Sequence, residues 1–117
     1  MPRDYRLYLD DILESINKIF SFVRDMDFER FSADAKTVDA VARNLEIIGE
    51  AAKNIPDRIR KKSGISQNEW EKITGLRNIL AHEYFGINLK VVWDIVQNKL
   101  QPLKTACEKM MAEEKLV

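Results

Sequence analysis

Apolar residues recur along this chain at spacings of three and four. Tyr5, Tyr8, Leu9, Ile12, Ile16, Ile19, Phe20 and Val23 keep that rhythm, which marks a helix with one buried face. Asp10, Asp11, Glu14, Asn17 and Lys18 fill the other side. The pattern predicts a first helix from about Asp4 to Asp25. It breaks between Met26 and Phe31, where Phe28 and Phe31 are expected to pack as a lid under the turn. Ser32 suits the N-cap of a second helix over roughly Ala33 to Asn54. There Val38, Val41, Ala42, Leu45, Ile48, Gly49 and Ala52 share one face, and Asp39, Arg43, Glu46, Glu50 and Lys53 share another. A narrow third strip of Ala40, Ile47 and Ala51 either widens the core face or meets a second subunit.

Pro56 ends that helix. Residues 53–62 then carry Lys53, Arg58, Arg60, Lys61 and Lys62 against Asp57, a local excess of four positive charges. Such a cluster is either a solvated face or a contact for a phosphate backbone, and Arg58, Arg60, Lys61 and Lys62 are the candidate nucleic-acid contacts. After Gly64, Ser66 and Glu69 fit a capping box, and Ile65 with Trp70 fits a hydrophobic staple. A third helix is expected from near Gln67 to Tyr84 or Phe85, stopped by Gly86. Asn88 suits the cap of a fourth, with Leu89, Val92, Trp93, Val96, Leu100 and Leu103 on its apolar face. Pro102 should kink or divide that helix, and Met111 to Val117 reads as a frayed tail. The sum is one all-α domain spanning residues 1–117, an antiparallel bundle of four to five helices.

Composition narrows the function. The chain has 117 residues, 45% of them hydrophobic and 32% charged, enough for one modest core. Four Gly and three Pro are too few for a turn-dense β protein. Lys plus Arg and Asp plus Glu are 19 each, which disfavours nucleic-acid binding by bulk charge but leaves room for a local basic patch. One Cys and one His exclude a disulfide framework and the usual zinc or iron ligand sets. No metal and no cofactor is therefore expected. The start Met1-Pro2-Arg3-Asp4-Tyr5 lacks the apolar core of a signal peptide, and no apolar run is long enough to span a membrane. The expectation is a cytoplasmic, soluble protein.

The third helix holds the chemistry: Gly75-Leu76-Arg77-Asn78-Ile79-Leu80-Ala81-His82-Glu83-Tyr84. On one continuous helical wheel Trp70, Ile73, Leu80, Ala81 and Tyr84 all fall within about 60° of Arg77. A cation amid an apolar stripe is costly unless paired. Either Arg77 pairs with a buried carboxylate, with Glu46 or Glu50 available on the second helix, or the stripe opens there into a cleft or interface. His82 lies about 140° from Arg77 on the same wheel. One site using both needs helix-end distortion, the reach of the Arg, or a second copy of the helix related by a two-fold axis. Arg and His together suit metal-free RNA transesterification. The imidazole takes a proton from a ribose 2′-OH and the guanidinium stabilises the phosphoryl oxygens.

Arg77-Asn78-Ile79-Leu80-Ala81-His82-Glu83-Tyr84 is similar to the R-x4-H-x-Y motif of HepT-like proteins, within the HEPN group of helical proteins. Arg43 to Ala52, Trp70, Tyr84-Phe85-Gly86 and Val92-Trp93 resemble the same family in order and spacing. The resemblance implies a homodimeric ribonuclease toxin of a toxin–antitoxin pair. Its partner would be a small MNT-type nucleotidyltransferase acting as antitoxin. By the same resemblance Arg77 and His82 are the catalytic pair, Asn78 supports the site, and Tyr84 is the residue modified with AMP. A nucleotide on Tyr84 would bring phosphate charge that competes for Arg77. Two other readings remain. The protein could be a noncatalytic nucleotide- or substrate-binding subunit of a nucleotidyltransferase, or a structural dimer module with Arg77 paired to Glu46 or Glu50.

Overall fold

A computed structural model of the chain describes residues 4–82 and 88–115, and within them all side chains but those of Ile79, Ala81, His82, Glu114 and Lys115. Its helices are α1 (Tyr5–Phe22), α2 (Phe28–Ala33), α3 (Ala35–Lys53), α4 (Asp57–Arg60), α5 (Gln67–Thr74), α6 (Leu76–His82), α7 (Leu89–Asp94) and α8 (Leu100–Lys115). A π-helical turn, Ile95–Lys99, joins α7 to α8. Every regular element among the described residues is helical, as the apolar rhythm requires. No described helix is long and apolar enough to cross a membrane.

The core is built around α1, against which both α3 and α8 pack. Leu9, Ile12, Ile16 and Ile19 of α1 are fully buried, as are Val41, Leu45, Ile48 and Ala52 of α3. Leu100, Leu103, Cys107 and Met110 extend the core from α8. Each such Leu or Ile contributes about 1.5–3 kcal/mol relative to an exposed position. Burial also pushes the Cys107 thiol up to about 12, so it stays protonated and inert. Of the small strip on α3, Ala51 is buried and Ala40 half-buried.

Local capping explains most boundaries. Asp4, Asp27, Ser66 and Asn88 each accept a hydrogen bond from the first-turn backbone of the helix they open. The Ser66 and Asn88 caps stand where the sequence places them. The expected cap at Ser32 does not. Residues 28–33 form their own helix, and Ser32 lies inside it with its hydroxyl donating to the Glu29 carbonyl at 3.0 Å. Asp34 instead starts α3, its Oδ1 accepting from the Thr37 amide at 3.1 Å. That bond holds its carboxyl below the usual range. The expected lid is a small clamp: Phe31 is fully buried, its ring centre 4.9 Å from that of Trp93, with Phe28 edge-on to Trp93 at 6.5 Å.

Two long helices read from the pattern are divided. The third breaks at Gly75 into α5 and α6. The fourth continues through Pro102, and its irregularity is the π turn just before it. Proline has no N–H and crowds the carbonyl four residues back, here Asn98, and a wider turn at that point relieves both problems. Lys99 at the end of this turn reaches Glu69 of α5 at 4.0 Å. The tail is helical as far as Lys115, beyond the frayed start expected at Met111.

Candidate functional site

Gly49 determines how α3 meets the α5–α6 break. A Cβ built there would lie 3.2 Å from the Ile73 carbonyl oxygen, 3.4 Å from the Leu76 Cβ and 3.6 Å from the Arg77 amide nitrogen. Only glycine allows that approach without displacement. The next residue, Glu50, thereby stands beside Arg77. Arg77 Nη1 donates to Glu50 Oε1 at 3.2 Å, and Lys53 Nζ approaches the same oxygen at 3.3 Å. The Lys53 contact above all, opposed by burial and aided by a smaller effect of Arg77, holds the Glu50 carboxyl below its ordinary range.

Arg77 is not a core residue. Its side chain is 61% exposed. The expectation of a buried position came from a continuous wheel, and the break at Gly75 resets the phase. Within α6 alone, the buried Leu76 and Leu80 define the inner face, and Arg77 stands about 80° to one side of their mean direction. That places it on the rim of a groove of about 370 Å³ formed by α1, α3 and α6. Tyr8 and Asp11 line it from α1, Arg43, Glu46, Ile47, Glu50 and Ala51 from α3, and Arg77 from α6. So the stripe does open into a cleft, and Glu50 is the partner, but this carboxylate is itself 47% exposed. Arg43 pairs with Glu46 at 3.5 Å. Three carboxylates face two guanidiniums, so the groove accommodates anionic charge only beside Arg43 and Arg77.

The other predicted residues are not all gathered there. Asn78 is exposed on α6. His82 is the last residue of α6, and its side chain lies outside the described residues, as does Tyr84 altogether. Arg58 lies over the Tyr5 ring at 5.5 Å, and Lys61 and Lys62 are exposed beyond α4. Arg60 turns inward. Its side chain is 14% exposed and sits 5.6 Å over the Trp70 ring, with Nη2 donating to the Ala52 carbonyl at 2.6 Å. Trp70 Nε1 in turn donates to Ser63 Oγ at 3.0 Å. Arg60 is therefore withdrawn from the exposed basic cluster.

Sequence reasoning placed Gly49, Lys53, Tyr8 and Asp11 on helix faces but assigned none of them to the site. A glycine interrupting an otherwise strong helix-forming run was the available signal for the first; for the wall of Tyr8 and Asp11 there was none. A second groove, about 500 Å³ and mainly apolar, lies between α5 and the α7–α8 arm, walled by Ile65, Ile73, Leu76, Val91 and Ile95. None of the predicted site residues lines it.

Comparison with known proteins gives a consistent result. The family model described as ribonuclease HepT-like matches residues 12–110. A candidate RNase of Methanocaldococcus jannaschii is 48% identical over 101 residues, covering 86% of this chain and 82% of that protein. A protein of Thermococcus cleftensis named as a probable ribonuclease HepT is 41% identical over 110 residues, covering 94% of this chain and 98% of that one. The mRNA nuclease HepT of Shewanella oneidensis is 27% identical over 135 residues, covering 90% and 100%. No solved structure matches the chain.

Proposed function

The chain belongs to the HepT-like ribonuclease family, and from that premise we propose that it is a metal-independent endoribonuclease toxin of a toxin–antitoxin pair, acting on RNA in the cytoplasm. The observation that carries this reading is Arg77: an exposed guanidinium on a groove rim, held by a carboxylate through a single Nη among the described residues. Its remaining N–H donors fit the oxygens of a phosphodiester.

The chemistry follows from the residue types. His82 takes the proton of a ribose 2′-OH, and the 2′-oxygen attacks the adjacent phosphorus. The bond to the 5′-oxygen breaks, and that oxygen takes up a proton. Arg77 stabilises the charge on the phosphoryl oxygens as the bond order changes. The products are a 2′,3′-cyclic phosphate and a 5′-OH, and DNA is spared because it lacks the nucleophile. Arg77 and His82 stand about 140° apart on one short helix, which favours a homodimer in which two copies of the motif face a shared cleft. Asn78 lies between them in sequence and supports the site. Arg58, Lys61 and Lys62 guide the RNA backbone. AMP added to Tyr84 by an MNT-type nucleotidyltransferase would silence the enzyme by placing phosphate charge near Arg77.

Purified protein incubated with RNA and EDTA should yield cyclic-phosphate ends, and His82→Ala should not. Cleavage that survives in His82→Ala, above a contamination control, overturns the assignment. One observation favours a second reading, a noncatalytic nucleotide- or substrate-binding subunit of a nucleotidyltransferase: the groove holds more acids than cations, which suits a small ligand better than a polyanion. The same incubation separates the two, since that subunit leaves RNA intact.

A further inference from the structure

We propose that Glu50 is a positioning residue for Arg77. Its carboxylate anchors one edge of the guanidinium so that the opposite edge faces the scissile phosphate. The inference rests on the ribonuclease reading above and adds a residue to it.

An exposed arginine ordinarily samples many rotamers, and a phosphate must then wait for the productive one. Here the carboxylate of Glu50 meets Nη1 at 3.2 Å from a residue 27 positions away in the chain. A planar fork gripped at one nitrogen samples fewer orientations and leaves Nε and the other Nη as a second, parallel pair of donors. Glu50 is itself fixed from two sides. It follows Gly49, whose close approach to the Ile73 carbonyl and the Arg77 backbone sets the distance between α3 and α6. Lys53 holds the same Oε1 at 3.3 Å, so the acid is shared between two cations and binds Arg77 less tightly than it otherwise would. A phosphate can therefore engage the free edge without first breaking a strong, bidentate internal pair. A carboxylate so near an anionic substrate does nothing to attract it, so the benefit of Glu50 must lie in orientation and appear in turnover.

The test compares Glu50→Ala and Glu50→Gln with the wild-type dimer, each checked by its thermal melt. Two readouts are used: steady-state cleavage of an RNA oligonucleotide, and hindered rotation of the Arg77 guanidinium by arginine-selective NMR. Glu50→Ala should lower kcat roughly 10-fold with KM unchanged or reduced, while its Arg77 signals collapse to free rotation. Glu50→Gln keeps an acceptor oxygen for Nη1 and should recover kcat to within about threefold of wild type. Wild-type or raised kcat in Glu50→Ala, a rise in KM alone, no advantage of Gln over Ala, or unchanged guanidinium rotation overturns the proposal. If the wild-type protein cleaves no RNA, the ribonuclease reading fails instead, and the NMR comparison still decides whether Glu50 restrains Arg77.

Discussion

Arg60 and Arg77 carry the same guanidinium, and the fold treats them in opposite ways. Arg60 is tucked under α3: it donates to the Ala52 carbonyl, covers the Trp70 ring and is 14% exposed. Its Nε is buried without a partner among the described residues. Arg77 is 61% exposed and bonded to a carboxylate that is itself nearly half exposed. In the sequence Arg60 belongs to a basic cluster that invites a phosphate, and Arg77 falls in an apolar stripe that invites a core partner. The structure turns Arg60 inward and leaves Arg77 at the rim of an open groove with Glu50 as its partner. A guanidinium hydrogen-bonded to a backbone carbonyl and stacked on an indole braces the fold, because leaving it would orphan the carbonyl and uncover the ring. A guanidinium in an exposed ion pair costs little to redirect, because such pairs contribute about 0–1 kcal/mol. Its edge away from Glu50 stays open to a phosphate.

Deleting each cation should therefore register in opposite assays. Arg77→Ala should lower RNA cleavage by roughly 10²–10³-fold, the loss of one donor group at a developing charge, with stability changed by less than about 0.5 kcal/mol. Arg60→Ala should cost about 1.5–3 kcal/mol of stability for its charged hydrogen bond, measured by urea unfolding, with turnover per folded molecule preserved. A stable but inactive Arg60→Ala, or an unfolded Arg77→Ala, would break the contrast.

Gly49→Val sharpens it from the backbone side. The added methyls meet the Ile73 carbonyl and Leu76, where a Cβ already stands at 3.2–3.4 Å. Overpacking of this kind costs about 1–3 kcal/mol. Turnover should fall as well, because the shift separates Glu50 from Arg77. The surroundings of Arg60 should stay intact, read as an unchanged Trp70 indole resonance.

The smallest expected effect is with pH. Lys53 and then Arg77 depress the Glu50 carboxyl. With the folded value below the unfolded one, the pairing is fully present above the ordinary carboxylate range and is lost as pH falls through the folded value. Acidification should free the Arg77 guanidinium signals before the protein unfolds. The Arg60 bond to the Ala52 carbonyl does not titrate, and its second contact, with Asp57, is a looser 3.7 Å approach, so its signals should change less through the same interval.

Much of the fold was legible because its causes are local. The apolar rhythm of α1 and α3 is visible within a few turns. The caps at Ser66 and Asn88 act over two or three residues. The division of the third helix was less legible, because Gly75 is a permissive residue and did not by itself require a break. The cap at Ser32 failed for a similar reason: residues 28–33 could end one turn or form another, and the docking of Phe31 on Trp93, far along the chain, favours the separate helix.

The candidate site divides along the same line. The helical class, the apolar core faces and the short run that carries Arg77, Asn78 and His82 are written in the local pattern of residues. That Arg60 points inward and Arg77 outward, and that Glu50 rather than Glu46 meets the guanidinium, depends on how the helices pack. The difference comes from distance along the chain. A periodic pattern reports each helix's own faces, whereas the environment of a side chain is set by whatever packs against that face, here a glycine-mediated approach between residues 27 apart.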